Sequence, residues 1–142
     1  MVEKDFQVIF KHYLANNPPK RATVYELKME KGRSIRFDRV YDHQVAGLRQ
    51  AKYKGVYHKI ADQPAAFVGG KRMHFGSKKP FDCLFLKGLE AYVVIMFYVP
   101  KQTKEAIFID IDRWVDEKES SDRKSLTIAR AKEIATWVKT LS

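Results

Sequence analysis

The chain has 142 residues, 45% of them hydrophobic, which is the right size for one domain with one sizeable core. Its 27 lysines and arginines against 17 acidic residues leave a formal charge of +10, an electrostatic footprint for a polyanion, nucleic acid first. A single cysteine, Cys83, excludes an internal disulfide, the four histidines (His12, His43, His58 and His74) lack zinc-ligand neighbours, and neither the charged start nor the longest apolar run, residues 91–99, fits a secretory signal or a membrane span. The expectation is a soluble, cytoplasmic protein without a structural zinc.

Residues 3–15 predict an amphipathic helix, because Phe6, Phe10, Tyr13 and Leu14 recur at the spacing that builds one face, and Asn16-Asn17-Pro18-Pro19 ends it. Glu3 falls on that apolar face, either as a first-turn acid favoured by the helix dipole or as a side chain that reaches a site. Residues 24–29, "VYELKM", predict a strand. Alternation sends Tyr25, Leu27 and Met29 to one face and Val24, Glu26 and Lys28 to the other. The charged pair is then either an ordinary wet face or two groups addressed to one ligand.

A basic, glycine-containing turn at residues 30–36 carries Arg33 and Arg36. It leads to a helix predicted over residues 38–54, with Asp38 as its N-cap and Tyr41, Val45, Leu48 and Ala51 as its buried stripe. Gln44 sits at the edge of that stripe, where it either bonds a neighbour or reaches into a site beneath the helix. A strand at residues 56–61 ends at Asp62. Residues 63–79 follow, predicted as a mobile basic loop with Gly69-Gly70-Lys71-Arg72 and Gly76-Ser77-Lys78-Lys79. It lacks the spacing of a nucleotide-binding P-loop, and reads either as a segment that folds onto phosphates or as a solvated tip.

Strands are predicted at residues 80–86, 91–99 and 105–111; the middle one is apolar on both faces and belongs in the centre of a sheet covered on both sides. A short helix at residues 113–117, a charged linker and a last helix over residues 125–141, with Ala131, Ile134, Ala135, Val138 and Leu141 inward, complete the chain. The whole predicts one domain in which helices flank a mixed sheet.

Alternation in "PFDCLFL" sets Asp82 on the face of Leu84 and Leu86, so that it either caps the turn at Lys79-Pro80 or points a carboxylate into an apolar environment. On a strand beside Glu26 it would bring two carboxylates and Lys28 together. Such a group suits Mg²⁺ and phosphodiester hydrolysis.

"ELK" on a strand, "HQ" (His43-Gln44) on the next helix, and the strands "AYVVIMFY" and "EAIFIDIDRWV" resemble the PD-(D/E)xK nuclease superfamily, and within it the Holliday-junction resolvases. The likeness runs from residue 3 to about residue 117. It implies a restriction-endonuclease-like fold, a mixed central sheet flanked by helices on both sides. It also implies a Mg²⁺-dependent endodeoxyribonuclease, with Mn²⁺ as a substitute, acting as a homodimer on branched DNA. On that likeness Glu26 and Lys28 match the E-x-K pair, Gln44 the helix glutamine and Glu3 the N-terminal glutamate; Glu26, Asp82 and Glu3 would hold the metal. The superfamily sets its Pro-Asp strand before the E-x-K strand, whereas "KPFDC" comes after it here, which leaves Asp62 as a second candidate aspartate. DNA contacts are expected from Lys71, Arg72, Lys78, Lys79, Arg33 and Arg36. The other classes compatible with the charge are a basic binding module without catalysis and a packing protein of a nucleoprotein particle.

Overall fold

The computed structural model describes residues 1–59, 66–68, 71–73 and 82–141, the segments 66–68 and 71–73 by their backbone alone. The elements are α1 (Glu3–Asn16), β1 (Thr23–Glu30), β2 (Ser34–Arg36), α2 (Asp42–Tyr53), β3 (Val56–Lys59), β4 (Ala66–Val68), β5 (Lys71–Met73), β6 (Cys83–Leu86), β7 (Glu90–Phe97), β8 (Glu105–Asp110), α3 (Ile111–Ser120), β9 (Ser125–Thr127), α4 (Ile128–Ile134) and β10 (Trp137–Thr140).

Four strands form the central sheet in the order β1, β7, β8, β10. β1 runs parallel to β7, with Glu26 opposite Val93 and Lys28 opposite Ile95, while β8 is antiparallel to both β7 and β10. The sheet is therefore mixed. β7 is buried from Ala91 to Met96, as its two apolar faces require of a central strand. On one face Phe6 and Phe10 of α1 pack with Met29, Tyr92, Val94, Met96 and Phe108. On the other, Leu48 of α2 and Ile111 and Trp114 of α3 pack with Val93, Ile95, Ile107 and Ile109. Full burial of side chains of this size stabilises by about 1.5–3 kcal/mol each, so both helical layers hold the sheet in place. The coarse expectation, a mixed sheet between helices, holds.

Three predicted helices differ, and residues 34–36 of the predicted turn and 66–68 and 71–73 of the predicted loop are strands. The second helix begins at Asp42 and not at residue 38: Phe37 and Val40 are drawn into the core, Phe37 edge-on to Trp114 at 5.3 Å, and the backbone at Val40 and Tyr41 is extended. Asp38 consequently caps nothing and pairs with Arg36 at 2.6 Å, and Tyr41 is 58% exposed instead of buried. The predicted five-residue helix over residues 113–117 is a ten-residue one, capped by Asp110, whose side chain accepts from the Asp112 backbone N–H.

The predicted last helix is the largest correction. Only residues 128–134 are helical; Ala135 is extended, the Thr136 N–H donates to the Phe108 carbonyl at 2.8 Å, and Trp137–Thr140 adds a strand to the central sheet. Val138 packs into the core under α2 and α3, whereas Leu141 packs into the core under α1. Residues three apart share a face of a helix but lie on opposite faces of a strand, and these two lie on opposite faces.

Candidate active site

β1 is an edge strand, and its charged face turns inward toward α2. Lys28 is 5% exposed, the one buried charged residue among the described residues. Its Nζ lies 3.0 Å from Glu26 Oε1 and 4.0 Å from Glu3 Oε1, and 5.5 Å above the ring of Tyr41. Burying a cation is costly unless it is paired, and here two carboxylates and an aromatic face surround it. The pair is thus no wet surface face.

Gln44 fixes the carboxylate from the other side. Its Nε2 donates to Glu26 Oε1 at 2.8 Å, while its own Oε1 accepts the Tyr41 backbone N–H at 2.9 Å. The second bond belongs to the start of α2, where the N–H at the cap position needs a partner. One glutamine therefore ties the helix start to the strand, and its amide orientation follows from having one donor and one acceptor engaged.

Arg39 extends the group. Its guanidinium lies 3.6 Å from Glu3 Oε2 and 3.3 Å from Glu30 Oε2, and Nη2 donates to the Met29 carbonyl at 3.4 Å. Glu30 in turn accepts the N–H groups of Lys31 and Gly32, at 3.0 and 3.1 Å. Glu26, Lys28 and Glu30 follow one another at period two along the strand, so Glu30 was signalled by the same alternation. Arg39 had no such signal, since it comes from a turn between β2 and α2.

Of the predicted residues, Glu3, Glu26, Lys28 and Gln44 converge. Asp82 does not join them through the sheet: it is exposed, it precedes β6, and β6 pairs with β3 while β1 pairs with β7. It was expected on an apolar face, but the β3–β6 ribbon that it precedes is itself exposed from Val56 to Lys59 and from Cys83 to Leu86. Arg33 and Arg36 are exposed on the turn around β2. Lys71 and Arg72 lie on β5, known in backbone only, and Asp62, Lys78 and Lys79 lie outside the described residues.

A second charged group joins α2 to α3. Lys52 Nζ lies 3.0 Å from both oxygens of Asp110 and 2.6 Å from Asp112 Oδ2, Arg49 lies 3.5 Å from Asp112, and the Tyr53 hydroxyl donates to Asp112. Burial opposes the charge of Asp112, but its hydrogen bonds from Lys52 and Tyr53 outweigh that and hold its carboxyl below the usual range. Burial likewise opposes the Lys52 cation, and the bonds to Asp112 and Asp110 outweigh it and raise its pKa. Every member is satisfied, so this group is a latch between two helices.

Among the described residues no three His, Cys, Asp or Glu side chains stand together as a metal cage. Glu3 and Glu26 both lie beside the Lys28 cation, and two carboxylates could hold a hard ion that takes its remaining ligands from water and substrate phosphate. No protein-family model, curated protein or solved structure matches the chain.

Proposed function

We propose that the chain is a Mg²⁺-dependent endodeoxyribonuclease with a restriction-endonuclease-like core, acting on branched DNA such as four-way junctions, as a homodimer. The observation that carries this reading is the buried Lys28 cation held between Glu26 and Glu3, with Gln44 fixing Glu26 from the following helix. A buried cation is costly and here is kept paired with two carboxylates, a pattern that marks functional sites. The net charge of +10 supplies the attraction for a phosphate backbone.

In hydrolysis of a phosphodiester, a water oxygen bonds to phosphorus, one ester P–O bond breaks, and the departing oxygen takes a proton. Glu26 and Glu3 would hold the ion, which when bound supplies positive charge to the phosphoryl oxygens and acidifies a coordinated water. Lys28, fixed by its partners, presents its cation to the negative charge that grows on the phosphate in the transition state. Gln44 keeps Glu26 in one orientation, so that little reorganisation is needed when substrate arrives.

One observation favours a second reading. Glu26 is engaged by both Lys28 and Gln44, and Glu3 by both Lys28 and Arg39, which fits a basic nucleic-acid-binding module in which the Lys28 cluster is structural. End-labelled four-way junctions and linear duplex of the same arms, with Mg²⁺, Mn²⁺ or chelator, separate the two. Paired nicks across the junction, lost in Glu26→Ala and in chelator, are the expected result. Salt-sensitive binding with no cleavage of any substrate would replace the nuclease by the binding module.

A further inference from the structure

On the face of the sheet opposite the Lys28 side chain, where the chain leaves α1 through Pro18 and Pro19, a cleft of about 560 Å³ opens. Its floor is aromatic. The parallel register sets Tyr25 opposite Tyr92, and their rings stack at 6.3 Å with an interplanar angle of 23°. Trp137 of β10 meets Tyr92 at 5.4 Å and is 40% exposed. The rim is cationic, because Lys20, Arg21 and Lys139 line the same cleft and are exposed. A single acid, Glu90, faces Thr23 across the register and completes the wall.

These features select one chemistry. Trp137, exposed above the buried Tyr92 and next to cations, suits a flat, electron-rich ring whose neighbours are negatively charged, as in the stacking platforms of single-strand binders. A duplex hides the faces of its bases and offers the cleft nothing to stack. Glu90 can accept a hydrogen bond from an exocyclic amine, which cytosine, adenine and guanine carry and thymine lacks. The cleft lies in the size range of a small-ligand pocket, enough for one nucleotide and too little for a helix of nucleic acid.

We propose that this cleft receives one unpaired nucleobase of a nucleic-acid strand, stacked beside Trp137, with the flanking phosphates on Lys20, Arg21 and Lys139. The inference goes beyond cleavage and does not require it: a nuclease would hold a splayed strand there, and a binding module would hold its ligand there. Tyr25 and Glu26 are consecutive on β1 and point to opposite faces, so one edge strand separates the cleft from the Lys28 group.

The full chain tests this through tryptophan fluorescence, because Trp114 is fully buried and iodide reaches Trp137 alone. The probes are a short deoxycytidine oligomer, its ribose counterpart, an abasic oligomer of equal length, a blunt duplex and an acidic peptide of equal charge. Base-bearing single strands are expected to shield Trp137 from iodide and to bind about tenfold more tightly than the abasic strand. Trp137→Ala is expected to remove that advantage and Trp137→Phe to keep most of it, with duplex affinity unchanged in both. Deoxy and ribo strands that differ in affinity tell which nucleic acid the cleft prefers, and either preference supports the inference. Shielding by the abasic strand or the peptide to the same extent would overturn it, as would a Trp137→Ala protein that still prefers bases or that loses duplex and single strand alike. Should Trp137→Ala fail to fold, the iodide comparison on the wild type decides. Glu90→Gln, which adds no bulk, is expected to narrow the preference for cytidine over thymidine oligomers.

Discussion

Lys28 and Gln44 converge on the same oxygen of Glu26, at 3.0 and 2.8 Å, one from the strand and one from the helix that crosses it. A carboxylate held by two donors from separate elements is oriented before any ligand arrives. Lys28→Met separates the proposed catalytic role of Lys28 from a structural one, because methionine keeps the apolar stem and removes the cation. The carboxylates left behind, Glu26 and Glu3, are partly exposed and can turn to water, so unfolding free energy is expected to change by no more than about 1–2 kcal/mol. Junction cleavage is expected to fall at least about a hundredfold. Glu26→Ala strands the cation instead, and is expected to cost about 3 kcal/mol as well as cleavage. Urea denaturation and single-turnover cleavage on the same preparations check both; a Lys28→Met protein that still cuts would remove Lys28 from the mechanism.

The Lys52 latch carries a pH signature with two limbs. Asp112 is depressed below its ordinary value of 3.8, so its contribution is present above that value and is lost as pH falls through the lower, folded-state one. Lys52 is raised above its ordinary 10.5, so its contribution is present below that value and is lost as pH rises through the higher one. Between about pH 5 and about pH 9 the latch is intact. Asp112→Asn is expected to lower the thermal midpoint by a few degrees at neutral pH and to flatten the acid limb below about pH 4. Midpoints measured by circular dichroism across pH check this, and parallel acid limbs in wild type and variant would contradict it.

The inner strands and the first helix were legible because period and burial agree there: β7 is apolar on both faces and buried on both, and Phe6 and Phe10 share one helical stripe. The end of the chain was not, because Ala131, Ile134, Ala135, Val138 and Leu141 fit a helical stripe in sequence while the extended backbone at Ala135 divides them between two cores. Tertiary pairing of Trp137–Thr140 with β8 decides that, and no local signal carries it. In the candidate site the E-x-K alternation led to Glu26 and Lys28, and the helix edge led to Gln44. For Asp82, alternation named the face of a strand but not the partner of that strand, which is β3.

Gly55 and Gly47, eight positions apart, give stability predictions of opposite sign, one after α2 and one inside it. Gly55 has φ +97°, and a Cβ there would lie 2.6 Å from Phe85 Cζ and 2.8 Å from the Leu86 carbonyl oxygen. It closes α2 by donating its N–H to the Gln50 carbonyl at 2.8 Å and starts the β3–β6 ribbon. Gly55→Ala is expected to destabilise by more than about 1 kcal/mol, since both the left-handed backbone and the contact oppose a side chain. At Gly47 nothing lies within 4 Å, and Gly47→Ala is expected to stabilise by about 0.5–1 kcal/mol through helix propensity. Chemical denaturation of the two single variants checks the pair, and equal effects would mean that the backbone at Gly55 relaxes.

Glu3 distinguishes a metal ligand from a partner of Lys28. It lies 4.0 Å from Lys28 and 3.6 Å from Arg39, at the first residue of α1, and is partly exposed. Longer, exposed ion pairs of this kind contribute about 0–1 kcal/mol, so Glu3→Gln is expected to leave the unfolding free energy nearly unchanged. As a ligand it would contribute charge to the ion, and its loss is expected to raise the Mg²⁺ concentration for half-maximal cleavage about tenfold or more while saturating Mg²⁺ restores most of the rate. As a partner of Lys28 alone, its loss would lower the rate equally at every Mg²⁺ concentration. Cleavage of a labelled junction across a Mg²⁺ titration, in wild type and Glu3→Gln, reads the difference directly, because only a ligand makes the two curves converge at high metal.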